Sequence, residues 1–368
     1  MSSSLDAASL VQRGSFADTS VYELCSSQFS NHYFLLSSPG SRDLLARPEV
    51  VGYDAYLALV PPTVAALRFL LEEGMNGEID IMTILRGGLN YPLEEACHST
   101  RIRVRNMHFL SCERIIRDNI IQGLDIKYGK IGVARDIVLA IGDIFATGDT
   151  FRLCMEHVVE KFRSEGGSIR KILFFTIGGT RAVDQMEALT GKIKAVFPAF
   201  EGVECFFFEG MFSVYSDKGV SGINVPDIDF GWKGGVISPE FRRYVMGVPD
   251  SLYEKCIIYD GGARRYEIPL HFDEVLEYWR GMFERSDVIS PVELTAEKLG
   301  YPHRLSFKDW LDATHFTLLA AYSPEEGQYL HRLWQSEDAL LASSADLSVA
   351  DLSRRRIQSI TNLKALYE

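Results

Sequence analysis

The chain has 368 residues, 46% of them hydrophobic, and a formal net charge of -12. That length suits one large domain with an extension, or two domains, and the acidic balance disfavours adhesion to nucleic acid or to an anionic membrane. No run approaches the roughly 18 to 20 apolar residues that span a bilayer, and MSSSLDAASLVQRGSF lacks a basic stretch leading into an apolar one. A cytoplasmic protein with no membrane partner and no nucleic-acid partner is expected.

Residues 1–59 read as a Ser-rich, weakly periodic arm or cap, with enough apolar side chains in NHYFLLSSPGSRDLL to pack against something. In PPTVAALRFLLEEGMNG the residues Val64, Leu67, Leu70 and Leu71 recur at helical spacing, and Gly74 and Gly77 stop the helix. EIDIMTIL (78–85) is mostly β-branched or apolar, as in a strand buried on both faces of a parallel sheet, and it runs into RGGLNYP. A strand at 102–110 follows, then a long polar connection, SCERIIRDNIIQGLDIKYGK, of the length that often marks a mobile functional loop. DIVLAI (136–141) predicts the next strand, and a helix from Asp149 to Ser164 turns Phe151, Cys154, Met155, Val158, Val159 and Phe162 to one side. Strands at 171–177 and 203–210 complete an α/β core over 60–255, expected as a mostly parallel sheet flanked by helices. After about residue 255 the pattern becomes amphipathic helices broken by Ser, Pro and Gly, so 256–368 is expected to be a helical C-terminal extension.

Six cysteines, at 25, 97, 112, 154, 205 and 256, include no C-x-x-C pair, and the eight histidines form no metal-binding spacing. Reduced thiols and no protein-ligated transition metal are expected. The chemistry concentrates at VLAIGDIFATGDTF (138–151), where a buried strand delivers Asp143 to the crevice at a strand end and ATGDT opens a helix. The unpartnered first amides of a helix favour an anion. Gly148 lets backbone approach a phosphate, the hydroxyls of Thr147 and Thr150 can donate to it, and Asp143 can accept from sugar hydroxyls or hold a Mg2+ brought by the ligand. A Walker loop is excluded because Asp149 stands where its lysine belongs, and no G-x-G-x-x-G follows a strand.

This stretch resembles the phosphoribosyl-pyrophosphate (PRPP) signature of the type I phosphoribosyltransferases, in which an acidic pair precedes two apolar residues and a small residue with Thr-Gly-x-Thr. The resemblance implies that Asp143 meets the ribose hydroxyls and that Ala146, Thr147, Gly148, Asp149 and Thr150 line the 5'-phosphate. ILRGGL (84–89) is similar to the family's pyrophosphate loop, which implies that Arg86, Gly87 and Gly88 hold the leaving group. The family's closing flap falls on RIIRDNIIQGLDIKYGK, with Lys127, Tyr128 and Lys130 as its pyrophosphate-facing groups, and INVPDIDFGWKGG resembles the segment that stacks on a base through Phe230 or Trp232. Both aromatics read equally as core residues, and both lysines as solvated charges. PRPP, a small heterocyclic acceptor, Mg2+ and a homodimer are what the resemblance implies. It covers about residues 60–240.

Gly142 departs from the pattern by standing where the first acid belongs, and Asp149 adds a negative charge to the turn. Ala146 lacks the carboxylate that oxopurine-salvage members carry there. Two functions follow as expectations. One is a Mg-dependent phosphoribosyltransferase that releases pyrophosphate, with Arg86, Asp143 and Lys127 as its catalytic groups; the other is a non-catalytic protein that senses PRPP or a nucleotide.

Overall fold

The computed structural model describes residues 5, 8–117, 120–146, 148–215, 219–223, 229–255, 261–317 and 323–368. In chain order come β1 (Ser9–Phe16), β2 (Thr19–Cys25) and β3 (His32–Ser37), followed by α1 (Pro39–Ala46), α2 (Gly52–Leu57) and α3 (Val60–Glu72). Then β4 (Glu78–Leu85), α4 (Leu93–Thr100), β5 (Arg103–Arg117), β6 (Ile120–Lys130), β7 (Ile137–Gly142), α5 (Asp149–Ser164), β8 (Ile169–Gly179), α6 (Arg181–Val196) and β9 (Gly202–Tyr215) build the sheet region. The remainder comprises β10 (Asp229–Ile237), α7 (Pro239–Gly247), α8 (Gly261–Tyr266), α9 (Ile268–Glu284), α10 (Pro291–Leu299), α11 (Phe307–Ala313), α12 (Pro324–Ser343) and α13 (Val349–Lys364).

The strands lie in the order β1-β2-β3-β9-β8-β7-β4-β5-β6, with β10 paired to β9. β7 sits in the middle, parallel to β8 on one side and to β4 on the other, and all six of its residues are buried. That explains its unbroken apolar sequence, because both faces are covered and alternation has no purpose. α5 turns inward the same six residues that its periodicity marks, Phe151, Cys154, Met155, Val158, Val159 and Phe162. The expected α/β architecture, with a mostly parallel sheet, flanking helices and a helical C-terminal region, is what the chain adopts.

The chain forms two compact units, and they do not follow the three-segment division read from sequence. The first comprises residues 1–8, 12–38 and 59–208, and the second residues 9–11, 39–58 and 209–368. Part of the segment read as an N-terminal arm or cap belongs to the sheet: β2 and β3 pair antiparallel from Ser20↔Ser37 to Leu24↔Tyr33, and β3 joins β9 in parallel. Glu187 of α6 fixes the turn between them, accepting from the Tyr33 hydroxyl at 2.8 Å and from Asn31 Nδ2 at 3.0 Å. The long polar connection after the 102–110 strand is likewise structured. β5 pairs in parallel with β4 as far as Ser111 and then antiparallel with β6, so the stretch is a two-stranded ribbon. Its described charged side chains Glu113, Asp125, Lys127 and Lys130 are exposed.

One expectation about apolar runs is corrected. Residues 52–72 contain an 18-residue window with the length and composition of a membrane span and a mean hydropathy of 1.3, and 56% of that window is buried within the protein. In the second unit, Glu337 of α12 is fully buried and receives Arg242 Nε and Nη2 at 2.8 Å, Trp310 Nε1 at 2.9 Å and the Tyr301 hydroxyl at 3.0 Å. Such a charge pair is tolerable in the interior only because its acceptors are met. The Arg-rich start of α13 is also internal chemistry: Arg354 pairs with Asp351, Arg355 with Asp250, and Arg356 with Glu49 and Glu254.

Candidate functional site

The two glycine motifs meet at the carboxyl ends of β4 and β7. These strands are neighbours, with Met82 opposite Ile141, so RGG leaves the sheet beside the end of β7. A Cβ on Gly87 would lie 2.5 Å from Asp143 Oδ1, and a Cβ on Gly88 would lie 3.1 Å from Thr83 Cγ2 and 3.2 Å from the Gly142 carbonyl oxygen. Close approach therefore favours glycine at both positions: a Cβ at 87 would displace the carboxylate, and one at 88 would press on Thr83 and the Gly142 carbonyl. The Leu85–Arg86 peptide is cis, and Gly87–Asn90 forms a 3-10 turn closed by Leu89 N–H to the Arg86 carbonyl at 3.1 Å. Asn90 donates from Nδ2 to the Gly87 carbonyl at 3.1 Å, while its buried Oδ1 has no hydrogen-bond partner among the described residues. The Arg86 side chain is exposed.

Past Gly142 the ladder to β8 continues. Asp143 N–H donates to the Phe175 carbonyl and Phe145 N–H to the Ile177 carbonyl, each at 3.1 Å, and Gly179 N–H donates to the Phe145 carbonyl at 2.9 Å. This holds the half-buried Asp143 in place, and its Oδ1 accepts from the Ile144 amide at 2.9 Å. Phe145 is driven inward, 1% exposed, with edge contacts to Phe151 and Phe174. It then forms the floor of the turn. A Cβ on Gly148 would lie 2.2 Å from Phe145 Cζ, and Gly148 has φ +80°, so ring contact and backbone conformation each demand glycine. Gly148 is also the N-cap of α5 and supplies no side-chain acceptor to the first turn. Ala146 is buried beside it, Asp149 and Thr150 are half-buried in the first turn, and Thr147 lies outside the described residues.

Tyr91 accounts for Gly142. A Cβ at 142 would lie 2.3 Å from Tyr91 Cβ and 2.5 Å from its Cγ, so nothing larger than glycine fits. The tyrosine is 3% exposed, its hydroxyl accepts from the Ile177 amide at 3.1 Å, and its ring lies 6.1 Å from that of Phe208. It thus bridges the ends of β7, β8 and β9. Burial, with the Asp143 charge adding, pushes the phenol pKa up, so the group stays neutral. Sequence reasoning missed Tyr91 as a site residue. The available signal was Gly142 itself, since a glycine in an acid's place implies that something else needs the volume.

The other expected site residues fare differently. Lys127 of β6 is exposed and engaged by Asp125 and by Glu113, the latter at 3.3 Å, so its ammonium is neutralised along the ribbon. Tyr128 and Lys130 are exposed on the same strand, and residues 118–119 at its tip lie outside the described residues. Phe230 is a core residue of the second unit, 5% exposed and against Phe212, which corrects its reading as an open stacking platform. Trp232 is half-buried, with the Arg242 guanidinium 4.5 Å from its ring centroid, so one face is already occupied. The described residues contain no group of three His, Cys, Asp or Glu side chains able to hold a metal.

No family model and no curated protein matches the sequence. Solved structures are similar over part of the chain. A protein from Aquifex aeolicus matches at 14% identity and a TM-score of 0.32, covering 45% of this chain and 80% of its own. A purine phosphoribosyltransferase from Pyrococcus horikoshii matches at 21% identity and 0.23, covering 32% and 71%. A hypoxanthine phosphoribosyltransferase from Staphylococcus aureus matches at 12% identity and 0.27, covering 44% and 77%. Likeness at this level leaves the family open.

Proposed function

We propose that this protein binds PRPP at the carboxyl ends of β4 and β7 and transfers its phosphoribosyl group to a nitrogen of a small heterocyclic acceptor, releasing pyrophosphate. One observation carries the reading: the Gly87 backbone lies directly against the Asp143 carboxylate, so the loop suited to a pyrophosphate and the turn suited to a phosphate open beside one another. The amides of residues 148–150 hold the 5'-phosphate at the start of α5, where the helix supplies partial positive charge and no side-chain cap competes. Asp143 accepts from sugar hydroxyls. Arg86 and the amides of Gly87 and Gly88 hold the pyrophosphate, so the bond from the anomeric carbon to the leaving oxygen breaks with its charge already met. The acceptor nitrogen forms the new bond from the opposite face, and positioning supplies most of the rate.

The single carboxylate fits a Mg2+ that arrives on the ligand's own oxygens, because such an ion keeps few protein ligands. Asp143 would hold it, and it would supply charge neutralisation on the leaving group. Titration calorimetry with PRPP and Mg2+ tests the assignment: Asp143→Asn should weaken binding at least roughly tenfold, the worth of a charge-assisted hydrogen bond, and unchanged affinity would remove it. A second reading, a PRPP or nucleotide sensor, is favoured by the Tyr91 ring, which fills the place of a first acid. Pyrophosphate release across a panel of bases separates the two, since a sensor binds and releases none.

A further inference from the structure

We infer that Cys112 and Cys154 form a reversible oxidative modification site that a hydroperoxide closes to a disulfide. Their Sγ atoms lie 3.4 Å apart, one on β5 and the other on the inward face of α5. The assignment is independent of the PRPP reading.

The two thiols have different access. Cys112 is partly exposed and follows a register shift in the β5–β6 ladder between Ser111 and Cys112, where the ribbon is locally irregular. Cys154 is fully buried, and burial together with the neighbouring Cys112 and Asp143 pushes its thiol pKa up. A small oxidant therefore reaches Cys112 first. Its thiolate sulfur attacks the terminal peroxide oxygen, the O–O bond breaks, and the sulfur is oxidised to a sulfenic acid while the alkoxide leaves and takes a proton. The Cys154 sulfur then attacks the Cys112 sulfur. The S–S bond forms, the S–O bond breaks, and hydroxide leaves as water with the Cys154 proton. The sulfurs need to approach by about 1.4 Å to reach disulfide bonding distance, a displacement that the irregular strand position can supply. The resulting ring spans the 42-residue separation between the two cysteines and encloses β6, β7 and the Asp143–Gly148 turn.

The test treats the full chain with a small excess of hydrogen peroxide, then alkylates it and maps its peptides. The expected result is a peptide pair joined through Cys112 and Cys154, loss of two titratable thiols, restoration by dithiothreitol, and a melting temperature raised by about 3 °C or more in the oxidised form. Cys112→Ser should abolish the linked pair and keep the Cys154 thiol. Cys154→Ser should arrest at a sulfenic acid on Cys112 that dimedone traps; because that buried site is sensitive to substitution, the Cys112→Ser result decides the matter alone. Oxidation of Cys112 to a sulfinic acid with the Cys154 thiol intact, or equal thiol loss in wild type and Cys112→Ser, would overturn the inference and leave two packing cysteines.

Discussion

Helix α5 begins on Gly148, without a side-chain cap, whereas α10, α11, α12 and α13 begin on Ser290, Ser306, Ser323 and Ser348, whose Oγ atoms accept a first-turn amide at 3.1 to 3.3 Å. Each of these serines is followed three residues later by Glu or Asp, the capping-box pattern, so these four helices of the second unit close their starts with their own side chains. In the first unit α3, α4, α5 and α6 all begin without a side-chain cap. An uncapped start is not peculiar to α5, since α6 begins on Thr180 without a side-chain cap. What sets α5 apart is the rest of its surroundings: an aromatic floor under Gly148, Asp143 beside the turn, and the RGG backbone against that carboxylate. The lesson is that a helix terminus acquires chemical meaning from the groups its neighbours direct at it, and the capped helices supply the internal control.

The largest effect that would break this comparison is at the turn. Gly148→Ala places a Cβ in the Phe145 ring and a non-glycine residue at φ +80°, so a loss of about 3 kcal/mol in urea unfolding is expected. Phe145→Ala combined with Gly148→Ala should cost less than the two single changes added together, because removing the ring relieves one of the two penalties. Strict additivity would show that the floor contact is unimportant. Next, Gly142→Ala should cost about 2 kcal/mol through overpacking against Tyr91. Truncating the ring would not rescue it, since the nearest clash is with Tyr91 Cβ itself. A neutral Gly142→Ala variant would show that packing against Tyr91 does not demand glycine there.

The second unit should show its own acid sensitivity. His271 is buried and donates from Nε2 to the Pro48 carbonyl at 2.7 Å, and burial, with Arg264 and Lys255 adding, pushes its pKa down to about 3. The unfolded chain, with an ordinary imidazole near 6.5, takes up the proton first. Stability from the neutral ring is thus fully present above about pH 6.5 and lost as pH falls toward 3, at up to about 1.4 kcal/mol per pH unit. Burial holds the Glu254 carboxyl up to about 7, which acts in the opposite sense over part of that window. The difference in melting temperature between wild type and His271→Gln, followed from pH 7 to pH 5, isolates the imidazole and should narrow as pH falls. The smallest effect sharpens the comparison directly: Ser348→Ala or Ser323→Ala should each cost about 1 kcal/mol and leave PRPP affinity unchanged.

Much of this was legible from sequence because it rests on local pattern. The buried run of β7, the six inward residues of α5 and the C-terminal helices all follow from periodicity and end signals. Asp143 and the glycines of both motifs were legible for the same reason, since each is tied to a strand end. What was not legible depends on which strands become neighbours. That RGG abuts Asp143 requires β4 beside β7, an arrangement set by tertiary pairing across more than 50 residues of chain. Tyr91 was hidden because its partners, Gly142, Ile177 and Phe208, come from three different strands. The β5–β6 ribbon passed for a loop because strands exposed on their faces carry a loop's composition. Phe230 passed for a possible ligand platform because an aromatic near a glycine turn reads the same whether it faces the core or a crevice.

The most direct test of the central claim is a crystal structure of the protein with PRPP. The account predicts the 5'-phosphate on the amides of residues 148–150 and the pyrophosphate on the Arg86–Gly88 loop, with the sugar spanning Asp143 between them. A ligand bound with only one of those ends engaged, or one seated away from both strand ends, would contradict it.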